Sequence, residues 1–267
     1  FKKPLNNPNL LKIALQYVQG FDGIIFSFPF EKSICPEGQI HEGLISTNYG
    51  LEGIPALSEE IMLKRDLKLL EYTGGKMHVP CISTKESVEL IKDAKKNNVN
   101  VTCSVSINNL FFNDEKLKNF DTRFKVLPPI RSEVHRKALL KGLDDGIIDF
   151  VTSDHTPIDI DNKKTDFVNS LFGSTGLESF FGALNSLFST EKSIDILTKN
   201  KNIFGIAENK IEEGEVANLT LFDPNYKYTF TKEHITSKSK NSCFINSDLT
   251  GKSFGIISNN SIQLIEI

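Results

Sequence analysis

Short β-prone apolar runs at residues 23–28, 77–82, 99–106 and 148–153 alternate along this chain with helical segments at 9–20, 57–72, 85–97 and 133–143. Helical segments are recognised by apolar residues that return every three or four positions, as Leu10, Leu11, Ile13, Ala14, Tyr17 and Val18 do in the first of them. Strands joined through helices run parallel, because a crossover long enough to hold a helix returns the chain to the same end of the sheet. Parallel strands are covered on both faces and so read as nearly continuous apolar runs, as residues 23–28 and 147–151 do. A closed (β/α) barrel and an open doubly wound sheet both satisfy this pattern. The glycine-rich phosphate loops that mark nucleotide-binding open sheets are absent, which leaves the barrel as the expected architecture.

Two further helical stretches, 176–188 and 193–200, are followed by a change of texture to β-prone pieces at 217–222, 226–230, 253–257 and 262–265. The expected organisation is therefore a partial barrel over residues 1–208 and a small β unit over 209–267 packed against it, with the boundary near 209. A net charge of −3 gives no electrostatic reason for nucleic acid or an anionic membrane as partner. No apolar run approaches the roughly 20 residues that cross a bilayer. Four scattered cysteines, Cys35, Cys81, Cys103 and Cys243, form no CxxC pair and are expected as reduced thiols, in keeping with a cytoplasmic protein. The first residue is Phe1 and a helical segment begins almost at once, so a fragment is expected.

Ser153-Asp154-His155-Thr156-Pro157 directly follows the apolar run 147–151 and so places Asp154 at the C-terminal end of a strand, where barrels display their working groups. A carboxylate there can ligate a cation or shuttle a proton. The local alternative is a turn built from Asp and Thr before Pro.

Several separated blocks carry a resemblance. They are His41-Glu42-Gly43, Gly50-Leu51-Glu52-Gly53-Ile54-Pro55 with Glu59-Glu60, and Ile82-Ser83-Thr84-Lys85-Glu86-Ser87-Val88. Further along come Lys125-Val126-Leu127-Pro128-Pro129-Ile130-Arg131, Asp145-Gly146-Ile147-Ile148-Asp149, Phe172-Gly173-Ser174-Thr175-Gly176-Leu177-Glu178, and the tail from Glu213 to Asp223. In order and spacing, together with Asp154-His155, they resemble dihydroorotases of the cyclic amidohydrolase superfamily. That resemblance implies the C-terminal part of a TIM-type (β/α)8 barrel, from about strand 5 to strand 8, followed by the β unit. It also implies the interconversion of N-carbamoyl-aspartate and dihydroorotate in pyrimidine synthesis, with zinc as cofactor. Asp154 would then be the strand-8 metal ligand and catalytic base.

The same resemblance exposes departures. Where the family has a metal-binding His at the end of its fifth strand, this chain has Phe28-Pro29-Phe30-Glu31, and phenylalanine has no lone pair to give. The sixth-strand ligand position holds Cys81, a thiol that can bind zinc. The Asn preceding Pro-Pro is replaced by Leu127, the second strand-8 His by Ile158, a His-His-Leu element by Asn108-Asn109-Leu110, and the fourth-strand acid falls on Phe1. The metal set implied here is therefore Asp154 and Cys81, and loss of the zinc is the alternative expectation.

Three functions follow as expectations: a working dihydroorotase, a non-catalytic dihydroorotase-like scaffold that partners aspartate transcarbamoylase, and an amidohydrolase of another cyclic amide. A homodimer is compatible with each. Structural roles are expected for the remaining candidates. His78 should sit in the sheet with a hydrogen-bonded ring, while His41, His135 and His234 should be structural or solvated. Cys35 and Cys103 should act as small buried hydrophobes, Lys163-Lys164 as a solvated pair, and Gly173, Gly176 and Glu178 as loop and helix-start residues.

Overall fold

The computed structural model describes residues 4–206 and 211–265. Its helices are α1 (Pro8–Val18), α2 (Leu44–Tyr49), α3 (Ala56–Thr73), α4 (Lys85–Lys96), α5 (Ile107–Phe111), α6 (Glu133–Asp144), α7 (Phe180–Leu187) and α8 (Thr190–Thr198). Its strands are β1 (Ile25–Phe26), β2 (Ile40–His41), β3 (Gly53–Ile54), β4 (Met77–Val79), β5 (Val101–Ser106), β6 (Phe150–Thr152), β7 (Leu219–Thr229), β8 (Asp248–Ser258) and β9 (Ser261–Leu264).

The main sheet runs β1-β4-β5-β6, every pairing parallel, with helices between successive strands, as the sequence periodicity predicts. Register aligns Phe26 with His78 and His78 with Thr102, and further along Ser104 with Phe150 and Ser106 with Thr152. Since alternate side chains of a strand share a face, Met77, Val79, Val101, Cys103 and Val105 form the face buried with the helices, whereas His78, Thr102, Ser104 and Thr152 form the other. That second face is largely polar. Near its lower end Phe26, His78, Phe150 and Phe204 group as rings 4.9–5.7 Å apart, with Phe204 brought in by the short 3-10 turn Lys201–Phe204.

Local chemistry explains the helix ends. Thr84 caps α4 by accepting from the Ser87 amide at 3.0 Å, and Lys95 and Lys96 close it, placing positive charge at the negative end of the helix dipole. Asn7 caps α1 in the same way, and Pro8 occupies the first turn, where its missing N–H costs nothing.

The structure corrects several expected boundaries. Only Ile25–Phe26 of the run 23–28 is strand, and residues 176–179 are not helical, with 177–179 forming a turn. The pieces at 217–222 and 226–230 are one strand, β7, broken in register between Leu221 and Phe222 and again between Asp223 and Lys227. The boundary near 209 and Phe1 both lie outside the described residues. The antiparallel β7-β8-β9 sheet packs on α7: Asn185 donates to the carbonyls of Pro224 (2.9 Å) and Thr250 (3.1 Å), and Thr250 N donates to Ser186 Oγ at 2.8 Å. No helix among the described residues is long and apolar enough to cross a membrane.

Candidate functional site at the strand ends

Cys81 lies just past the end of β4 and Asp154 just past the end of β6, both with left-handed backbone (φ 56° and 48°). Non-glycine residues rarely adopt that conformation, and it tends to concentrate where a side chain must be aimed out of a strand. The two strand ends meet across β5. Cys81 Sγ lies 3.6 Å from Thr152 Oγ1, and the Cys81 amide donates to Ser104 Oγ at 3.2 Å. The sequence-predicted pair therefore occupies one end of one sheet.

Beyond Asp154 the chain is held by a second loop. His155 Nδ1 accepts from the amides of Gly176 and Leu177 at 3.3 Å, and Thr156 N donates to Ser174 O at 2.8 Å. A Cβ at position 176 would stand 2.1 Å from Ser153 O, so only glycine lets the loops approach this closely. Glu178 does more than the helix-start role expected of it: its carboxylate accepts from Ser237 N (2.8 Å) and Ser237 Oγ (2.5 Å), tying the loop to the tail.

All five histidines of the chain have ring nitrogens committed to hydrogen bonds. His78 bonds Thr102 Oγ1 through Nδ1 (2.9 Å) and Ser104 Oγ through Nε2 (3.2 Å), as expected for a ring in the sheet. Burial, assisted by the Lys95 charge, pulls its pKa down to about 4. His41 Nδ1 meets Arg131 Nη1 at 3.2 Å, and burial followed by that guanidinium lowers its pKa to about 3. His135 Nδ1 accepts from Lys85 N and His234 Nδ1 from Thr231 N, each at 3.0 Å. An Nδ1 that accepts a hydrogen bond leaves the neutral ring's hydrogen on Nε2, so in this arrangement His41, His135, His155 and His234 have no free lone pair for a metal.

A zinc ion needs three or four nitrogen, sulfur or oxygen donors from the protein. Among the described residues no group of three or more His, Cys, Asp or Glu side chains is placed to hold a metal ion. Among the described residues the donor pair Cys81 and Asp154, in a chain with Phe28, Phe30, Asn108 and Asn109 at positions where the resemblance expects histidines or other polar groups, does not fit the zinc centre that the resemblance implies. The other thiols are buried, and burial pushes those of Cys103 and Cys243 up to about 12, so they serve as small apolar side chains.

The blocks that carry the resemblance meet instead in a buried polar cluster beside the strand ends. Glu59 accepts from Ser83 N (2.8 Å) and Ser87 Oγ (2.6 Å), and also from Ser83 Oγ. Arg131 donates to Ser83 Oγ (3.0 Å) and Ile54 O (2.6 Å), with its second terminal nitrogen 3.9 Å from Glu59. Lys163 overturns the expectation of a solvated pair: it is 2% exposed, and its ammonium donates to Thr122 O (2.9 Å) and Lys125 O (3.0 Å). Lys125 is buried likewise, donating to Phe167 O and Val168 O at 2.8 Å. Composition alone gives no signal for either, since lysine is ordinarily exposed. Only the location of Lys125 in the block that ends at Arg131 sets it apart.

No family model matches the chain. Among curated proteins it is 36% identical to a dihydroorotase of Caldicellulosiruptor saccharolyticus, over 97% of this chain and 62% of that protein. It is 35% identical to one of Thermoanaerobacter sp. strain X514, over 93% and 59%. The chain thus spans less than two thirds of the length of these relatives. Among solved structures it superposes on the L-hydantoinase (dihydropyrimidinase) of Arthrobacter aurescens with a TM-score of 0.85 at 20% identity, covering 99% of this chain and 64% of that one. A D-hydantoinase (dihydropyrimidinase) of Thermus sp. gives 0.81 at 19% identity, covering 97% and 60%. At this identity these structural likenesses show the fold, an α/β arrangement matching about 60% of each of those chains.

Proposed function

We propose that the chain is a dihydroorotase-family protein, a reading supported by its 36% identity to a dihydroorotase over 97% of this chain, and that it serves the step of pyrimidine synthesis at which N-carbamoyl-aspartate and dihydroorotate interconvert, as a barrel that does not itself assemble a zinc centre. One observation carries this reading: the imidazoles of the chain are spent on structural hydrogen bonds, in a sequence that has phenylalanine and asparagine where the resemblance expects histidines. In this role the barrel is a scaffold, and aspartate transcarbamoylase, which supplies N-carbamoyl-aspartate, is the partner proposed for it. Four cysteines outside any disulfide support a reducing, cytoplasmic setting.

A second reading, a working dihydroorotase with Asp154 as its base, draws support from the position of that carboxylate past β6. The two are separated by metal analysis of the full-length protein combined with a dihydroorotate hydrolysis assay. The scaffold reading expects zinc well below one per chain and no turnover. Stoichiometric zinc, with turnover abolished by Asp154→Ala, would sink it.

A further inference from the structure

On the outer surface a furrow runs between α3 and α4, away from the strand ends. Its upper hollow measures about 370 Å³ and a lower one about 180 Å³, and the two share Lys64, Leu90 and Asp93. From Leu57 to Glu71 the furrow follows α3 for roughly 20 Å at 1.5 Å per residue, the length of a helix of three to four turns. Its floor is apolar: Leu57 and Ile61, four residues apart on one face of α3, are 49% and 46% exposed, and Leu90 of α4 lies half-buried between the helices.

The rim is uneven in charge. In the lower part the carboxylates are answered within the chain, Glu71 by Lys68 at 2.6 Å and Asp93 by Lys96 at 3.9 Å. Around the upper part stand Glu60, Glu86 and Glu89. Glu60 and Glu89 take part in no ion pair among the described residues, and Glu86 reaches only His135, at 3.6 Å. Lys64 and Lys85 also line this hollow, yet the carboxylates outnumber them. Burial, then the neighbouring charges of Glu86 and Glu59, raises the pKa of Glu60, which marks this as the end where negative charge is crowded.

We propose that this furrow docks an amphipathic helix of a partner protein, with two apolar side chains set against Leu57 and Ile61 and lysine or arginine facing Glu60, Glu86 and Glu89. A furrow of this length between two helices suits an elongated helical ligand better than a compact small molecule, and its apolar floor and carboxylate rim match such a helix face for face. The inference is independent of whether the strand ends are catalytic.

The test uses the full chain and two fluorescently labelled synthetic helical peptides about 14 residues long, a length set by the furrow. Both carry the same leucine pair, flanked by lysine and arginine in one and by glutamate in the other. Anisotropy should show binding of the cationic peptide only, weakening at least about fivefold between roughly 50 mM and 500 mM salt as screening grows. Ile61→Asp, at a half-exposed position and checked for folding by circular dichroism, should weaken it more than about tenfold. Glu60→Lys combined with Glu89→Lys should transfer preference to the anionic peptide. Equal binding of both peptides, binding of neither, or indifference to these substitutions overturns the proposal.

Discussion

Arg131 is 2% exposed and joins three segments by donating to Ser83, His41 and Ile54, while Glu59, 3% exposed, gathers the amides and hydroxyls at the start of α4. Removing one partner of a buried charge pair leaves the other without compensation, which costs roughly 3–5 kcal/mol. Glu59→Gln should therefore lower unfolding free energy by about that much in urea titrations, whereas Glu60→Gln, on the furrow rim, should change it by less than about 0.5 kcal/mol. His78 gives a pH signature. Its folded pKa, about 4, lies below the ordinary 6.5, so the unfolded chain binds more protons between these values and stability falls as pH drops from 6.5 toward 4. The loss from this ring is on the order of 3 kcal/mol. His78→Gln should flatten that part of the pH profile of unfolding, and an unchanged slope would refute the assignment. At this scale the sequence was only partly legible. The positions of Asp154 and Cys81, and the ring of His78 in the sheet, could be anticipated from strand ends and burial rules. Lys163 could not, because its burial depends on carbonyls of residues about forty positions away.

Helices α3, α4 and α6 fall where apolar periodicity predicts them, because each buries one face continuously and carries its own stop signal, such as Gly146 after α6. The two-residue strands β2 and β3 and the short helices α2 and α5 escaped, being too brief for periodicity to register and held by contacts distant in sequence. The loops show why glycine matters at some positions and less at others. At Gly176 an added Cβ meets Ser153 O, whereas at Gly146 (φ +70°) it meets open space. Gly146→Ala should cost about 1 kcal/mol, the penalty of a left-handed backbone alone. Gly176→Ala should cost clearly more, at least about 2–3 kcal/mol, because backbone must move and the loop beyond Asp154 moves with it. Denaturation of the two variants side by side measures the difference.

Over the whole molecule, the antiparallel β7-β8-β9 sheet follows the change of texture after residue 200, and composition carried no sign of how closely it is fastened to the rest of the chain. Asn185, Ser186 and Glu178 bond across to Pro224, Thr250 and Ser237, and Gly182 packs where a Cβ would touch Tyr228 Oη at 2.7 Å. Sheet and barrel should accordingly unfold together. Amide hydrogen exchange should give β8 and β5 similar opening free energies, and Asn185→Ala should lower that of β8 first. The committed imidazoles have a consequence for life under metal scarcity. A protein whose folded state needs zinc is lost when the ion runs short, whereas on the scaffold reading proposed above this chain, its histidines turned inward, would keep its shape whatever the supply. Its abundance in a zinc-starved cell should follow synthesis and proteolysis alone, and its unfolding midpoint should be the same with and without a chelator.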